Sequence, residues 1–175
     1  MSLKHVPFGS IDKFNVIIEI AQGSQDKYEY DEELDVIKLD RVLFSAQRYP
    51  ANYGFIPETR ADDGDHTDVL LFSTNPILPG AVVEARAIGF MNMEDNGEID
   101  NKILAVPTED PRFAHVQSLA ELPEHSPKEI KNFFETYKIL QNKPVTVGEF
   151  EGTNKALEYI EKTREIYQQE MSKSE

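Results

Sequence analysis

The chain has 175 residues, 32 acidic against 18 basic side chains for a formal net charge of -14, and no cysteine. That length fits one domain, able to bury about 70% of the surface its unfolded form exposes, so the core needs no disulfide. The negative charge repels DNA and RNA, no segment is apolar enough to span a bilayer, and residues 1–7 lack the apolar centre of a secretory signal, which suggests a cytoplasmic protein with no nucleic-acid or membrane partner.

In chain order, Phe14–Ile20 alternates as a strand, with Phe14, Val16, Ile18 and Ile20 on one face and Asn15, Ile17 and an unexpected charge, Glu19, on the other. Shorter strand-like runs follow at 27–30, 36–39, 53–56 and 69–72, then a long one at 82–93 and another at 103–106. Turn residues separate them: Gly23-Ser24, Asp62 to Gly64, Pro79-Gly80 and Asn96-Gly97. The period then changes. Ile130, Phe133, Phe134, Tyr137 and Leu140 share one side of a helix begun by Ser126-Pro127, with Glu129 in the capping-box position. Ala156, Leu157, Ile160, Arg164 and Tyr167 mark a second helix after Gly152-Thr153-Asn154, with 171–175 expected to fray. Strands followed by helices, with no repeat or linker, predict a single α+β domain over 1–175 built on a barrel or sandwich.

Chemistry concentrates in two acidic turns. Asp63-Gly64-Asp65-His66-Thr67-Asp68 sets three carboxylates before the apolar run at 69–72. Neighbouring like charges repel by roughly 1–4 kcal/mol per pair at effective dielectrics of about 80 to 20, so the turn asks for cations. Oxygen donors favour Mg²⁺, Mn²⁺ or Ca²⁺ over zinc, and acidic positions 1, 3 and 6 do not match an EF-hand. A second turn at 94–102 adds Asp95 and Asp100 around Asn96-Gly97. Lys27, Arg41, Tyr49, Tyr53, Lys102, Tyr137 and Lys138 lie near the turn signals. Carboxylates for metal beside cations for phosphate suit phosphoryl transfer to water, and no nucleophilic Ser or Cys motif accompanies them. Taken singly, each feature has a plainer reading: a solvated loop or structural Ca²⁺ site for the first turn, a charged hairpin tip for the second, core packing for Tyr137, Tyr49 and Tyr53, and surface ion pairs for the cations.

Seven ordered blocks carry a resemblance: V-I-I-E-I ending at Ile20, K-Y-E at Lys27 to Glu29, D-R at Asp40-Arg41, Y-P-A-N-Y-G at Tyr49 to Gly54, D-G-D-x-x-D-V-L at Asp63 to Leu70, D-N-G-E-I-D-N-K at Asp95 to Lys102, and F-F-E-x-Y-K at Phe133 to Lys138. From about Val6 to Lys138 the chain resembles the soluble family I inorganic pyrophosphatases, in their short bacterial form. The resemblance implies a small closed five-stranded OB-like β-barrel with flanking α-helices, a homohexamer, and Mg²⁺-dependent hydrolysis of inorganic diphosphate by a metal-activated water, with several ions per site and Mn²⁺ as a substitute. It implies Asp63, Asp68, Asp95, Asp100 and Glu19 as metal ligands and Asp65 as general base. Lys27, Arg41, Tyr53, Lys102, Tyr137 and Lys138 would grip the two phosphates, with Glu29 and Tyr49 lining the cavity. Position 66 departs from the pattern, being His where the family usually has Pro; this restores a backbone N–H and freedom between two carboxylates, predicting looser ion binding or a pH-sensitive contribution. The rival readings are a metal-dependent hydrolase of another phosphoanhydride and a non-enzymatic Ca²⁺-binding or OB-type interaction module.

Overall fold

In the computed structural model, which describes residues 2–174, five strands close on one another. The strands are β1 (Phe14–Ile20), β2 (Asp26–Asp31), β3 (Val36–Val42), β4 (Asn52–Ile56), β5 (Thr67–Leu71), β6 (Val82–Asp95), β7 (Glu98–Ile99), β8 (Lys102–Pro107) and β9 (Val145–Glu151). β1 pairs with β4, β4 with β5, β5 with β8, β8 with β6, and β6 returns to β1. Only the β5–β8 pair in this ring is parallel. This is the closed five-stranded, OB-like barrel that the resemblance implied, and closure removes the unpaired edges an open sheet would present.

The two-residue period of the strands divides their side chains between two cores. Val69 and Leu71 join Phe14, Val16 and Ile18 against Ala156 and Ile160 of α2 (Thr153–Ser174). Leu70 and Leu104 instead meet Ile130, Phe133 and Phe134 of α1 (Ser126–Thr136). β1 is therefore covered on both faces, with Val16, Ile17 and Ile18 all at 0% exposure. Its pairing with β4 is so close that a Cβ at Gly54 would lie 2.1 Å from the Ile17 carbonyl oxygen. β2 and β3 form a separate hairpin standing beside the barrel.

Three expectations need correction. β9 was not foreseen: only Val147 in it is fully buried, with Val145 and Phe150 partly buried against the same core, so its alternation is faint although it pairs along β6. The chain therefore does not run strictly from strands to helices. Leu140 is 63% exposed because α1 stops at Thr136 and a separate short 3₁₀ turn, Ile139–Gln141, follows. The capping box does not form at Ser126 and Glu129: Ser126 is already inside the helix behind His125, and the box closes instead at Ser118 and Glu121, whose carboxylate accepts from the Ser118 N–H at 2.9 Å. The second helix, α2, spans Thr153–Ser174, and Glu175, part of the tail expected to fray, lies outside the described residues.

Candidate active site

The first acidic turn bridges β4 and β5. Its bend is held locally, with the Ala61 N–H donating to the Asp65 carbonyl at 2.7 Å and the Asp65 N–H donating to Asp63 Oδ1 at 3.0 Å. Asp68 is not in the bend; it lies within β5, opposite Phe55. The second turn is a two-residue hairpin loop with φ of 53° at Asn96 and 91° at Gly97, the left-handed pair that a type I′ turn demands. It leaves Asp95 at the end of β6, and the Asp100 N–H donates back to the Met93 carbonyl at 2.9 Å.

The parallel register joins the two turns. Val69 is level with Ile103, so the residues just before them, Asp68 and Lys102, are neighbours. The Lys102 ammonium donates to Asp68 Oδ2 at 2.5 Å and also to Asp100 Oδ1, and the Tyr53 hydroxyl reaches the same Asp68 oxygen at 2.5 Å. Burial alone would push the Lys102 pKa down, but the two carboxylates outweigh it and hold it above its usual range. Lys138 makes the corresponding contact to Asp95 Oδ2.

Above these pairs opens a cavity of about 730 Å³. Glu19, Lys27, Glu29, Tyr49, Tyr53, Asp63, Asp65, Asp68, Asp95, Asp100, Tyr137 and Lys138 all line it. Of the residues expected at the site, Lys102 lies beneath the floor at 1% side-chain exposure, and Arg41, ion-paired with Asp40, stands just beside the lining and pairs across the hairpin with Lys27. Tyr49 and Tyr137 each pack on Phe133, at ring distances of 4.9 and 5.1 Å, so the α1 aromatic cluster serves as core and cavity wall at once. Lys143 also lines the cavity. Sequence reasoning passed it over because it sits in the connection to the unforeseen β9.

Electrostatics make this an unfinished cavity. Eleven carboxylates and four cationic side chains line it. Burial pushes the carboxyl pKa values of Asp63, Asp65 and Asp68 up, and Glu19, buried and facing Asp68, rises to about 8 even though it accepts the Tyr30 N–H at 2.7 Å. Each shift records the cost of holding negative charge without enough cation nearby. As placed, no three of the described carboxylates surround a single point; lysines take the inner oxygens of Asp68, Asp95 and Asp100. The donor set is all oxygen and suits a hard divalent ion competing with those ammonium groups.

His66 sits under the first turn. Its ring stacks on Phe55 at 4.8 Å and 9°, with Nδ1 2.9 Å from the Thr59 carbonyl and Nε2 2.9 Å from Glu32 Oε1. Burial pushes its pKa down. These contacts oppose the backbone freedom expected where the usual Pro is lost.

Residues 16–168 match the family described as inorganic pyrophosphatase. The chain belongs to that family. It is 55% identical over 144 residues, 82% of this chain and 88% of the relative, to an inorganic pyrophosphatase of Halalkalibacterium halodurans. It is 47% identical over 154 residues, 88% of this chain and 71% of the relative, to a soluble inorganic pyrophosphatase of Arabidopsis thaliana. The crystal structure of the Thermus thermophilus inorganic pyrophosphatase superposes with a TM-score of 0.92 at 44% identity, covering 96% of this chain and 99% of the other. Inorganic pyrophosphatases are metal-dependent enzymes. Among the described residues no helix is long and apolar enough to cross a membrane.

Proposed function

We propose that this chain hydrolyses inorganic diphosphate to two orthophosphates by direct attack of water on phosphorus, without a covalent phospho-enzyme. The observation that carries this reading is the meeting of both acidic turns and of Lys27 and Lys138 in one cavity. Asp63, Asp68, Asp95, Asp100 and Glu19 are the proposed ligands of several Mg²⁺ ions, with Mn²⁺ as a substitute. When bound, such ions neutralise phosphoryl oxygens and lower the pKa of water.

The side chains divide the remaining work. Asp65, held by Asp63 and unattached to any lysine in the floor, takes the proton from the attacking water. Lys27, Lys138 and the hydroxyls of Tyr53 and Tyr137 bind and orient the two phosphates, with Arg41 beside Lys27 reinforcing the positive field. Lys102, paired to Asp68 and Asp100, acts from below, keeping those carboxylates ionised and in place until substrate and metal arrive. Glu29 and Tyr49 complete the wall. An acidic protein thus handles an acidic substrate because bound cations reverse the local field.

Phosphate release from diphosphate, with and without Mg²⁺, tests the reading. Faster release from ATP than from diphosphate would favour another phosphoanhydride, and ion uptake without any phosphate release would favour a Ca²⁺-binding or OB-type interaction module. A cytoplasmic location fits a chain that builds its fold without a cysteine. A homohexamer is the proposed assembly, on the strength of the resemblance to the short bacterial family members. Sedimentation as a monomer would remove it.

A further inference from the structure

The first acidic turn is exposed and has almost no apolar packing of its own: Asp62, Asp63, Gly64 and Asp65 are all open to solvent. Ordering such a segment costs roughly 1–2 kcal/mol per residue, so something outside the turn must restrain it. The restraint comes from the C-terminal helix α2, a region the motif resemblance does not reach. Arg60 donates its backbone N–H to the Thr163 carbonyl at 2.8 Å. Its side chain extends past Tyr167, with the guanidinium carbon 5.9 Å from the ring, and Nε donates to Glu170 at 3.1 Å. From the same guanidinium, Nη1 donates to the Gly64 carbonyl at 2.9 Å, between Asp63 and Asp65, and lies 3.3 Å from Glu32. A second strut stands alongside, where Lys162 donates to Asp62 Oδ1 at 2.7 Å.

We propose that Arg60, braced by α2, is a positioning residue that holds the Asp63–Asp65 turn in its ion-binding shape. Only a rigid fork of donors can face Gly64, Glu32 and Glu170 together; a lysine offers a single ammonium at the end of a flexible stem. Without Arg60 the turn samples other shapes, and apparent ion affinity falls by the fraction of time the competent shape is lost. The inference rests on the reading that this turn holds divalent ions.

The test uses the whole chain, with Mg²⁺ binding followed by titration calorimetry and amide exchange of residues 62–66 followed without metal. Arg60→Ala is expected to weaken Mg²⁺ binding by about 10- to 100-fold, the range for groups that support metal ligands, and to speed exchange in the turn. Turnover should return to within a few-fold of wild type at saturating Mg²⁺, a split between ion affinity and rate that general destabilisation does not produce. Arg60→Lys, which keeps the charge and serves if the alanine variant does not fold, should shift both readouts in the same direction. If wild type binds Mg²⁺ and the Arg60 variants match it in affinity and exchange, this inference falls alone. If wild type takes up no Mg²⁺, the metal reading and this inference fall together.

Discussion

Lys102 places a buried ammonium 2.5 Å from Asp68 Oδ2, and it does so because β5 and β8 run parallel with Val69 level with Ile103. The contact couples the fold to the chemistry: the same pairing that closes the barrel delivers a fixed positive charge under the acidic floor. Removing one partner of such a pair leaves the other charge buried and uncompensated, at a cost of about 3–5 kcal/mol. Lys102→Met is therefore expected to lose stability on that scale in urea unfolding with a chelator present. A loss below about 1 kcal/mol would mean that Lys102 is not what holds Asp68 and Asp100 together.

Asp65 is the proposed base, and general acid–base groups contribute roughly 10²–10⁴-fold to rate. Asp65→Asn is expected to keep the circular dichroism of the parent while phosphate release drops into that range. Turnover close to wild type would assign the proton transfer elsewhere.

Ion binding by the native state alone stabilises by linkage, about 2.7 kcal/mol when Mg²⁺ stands at 100 times its Kd. Thermal unfolding of wild type should move upward accordingly with Mg²⁺ and return on chelation. Asp68→Ala, lacking a proposed ligand, is expected to show a much smaller response at the same Mg²⁺ concentration. An equal response in the two proteins would take Asp68 out of the ligand set.

The amino-terminal arm is tied to the β2–β3 turn through Asp35. Its carboxylate accepts from the Ser2 hydroxyl, the Tyr30 hydroxyl at 2.8 Å and the Leu3 and Lys4 N–H groups at 2.9 and 3.1 Å, which together lower its pKa from the ordinary 3.8 to about 2. A folded-state pKa below the unfolded one means stability that is complete above about 3.8 and is lost as pH falls through about 2. Asp35→Asn, which tolerates the left-handed backbone there (φ 54°), should be less stable than wild type at neutral pH. The gap should close as pH approaches 2. A difference that persists unchanged through that window would show that the carboxylate charge is not responsible.

Gly54 sits where β1 and β4 approach too closely for any side chain, a Cβ there falling 2.1 Å from the Ile17 carbonyl oxygen. Gly54→Ala must move backbone rather than a flexible side chain, and a destabilisation of about 1–3 kcal/mol or more is expected in denaturant unfolding. A neutral result would imply that β4 shifts freely against β1.

Patterns that recur at short range were legible before any coordinates. β1 was read with its observed bounds because four of its residues alternate strongly, and α1 was visible in Ile130, Phe133 and Phe134, which are all buried. Asn96-Gly97 announced its own turn because few other pairs tolerate two left-handed residues. β9 stayed hidden because Val145 and Val147 are its only clear alternation before Gly148 and the two glutamates break the pattern, and its pairing to β6 leaves little trace in side-chain identity. Leu140 misled because an apolar residue at the right spacing says nothing about where its helix stops.

Residue types and spacing determined by themselves that this chain carries two acidic turns, a set of cations and phenols, and the motifs of one family. That Asp68 meets Lys102, that Arg41 stands beside the cavity and not in it, and that α2 braces the Arg60 side chain holding the Gly64 carbonyl were decided only by the tertiary structure. The physical reason is the range of the forces: local propensity and periodicity act over a few residues, whereas these contacts join positions as far apart as Arg60 and Glu170 through strand register and helix packing that no local segment specifies.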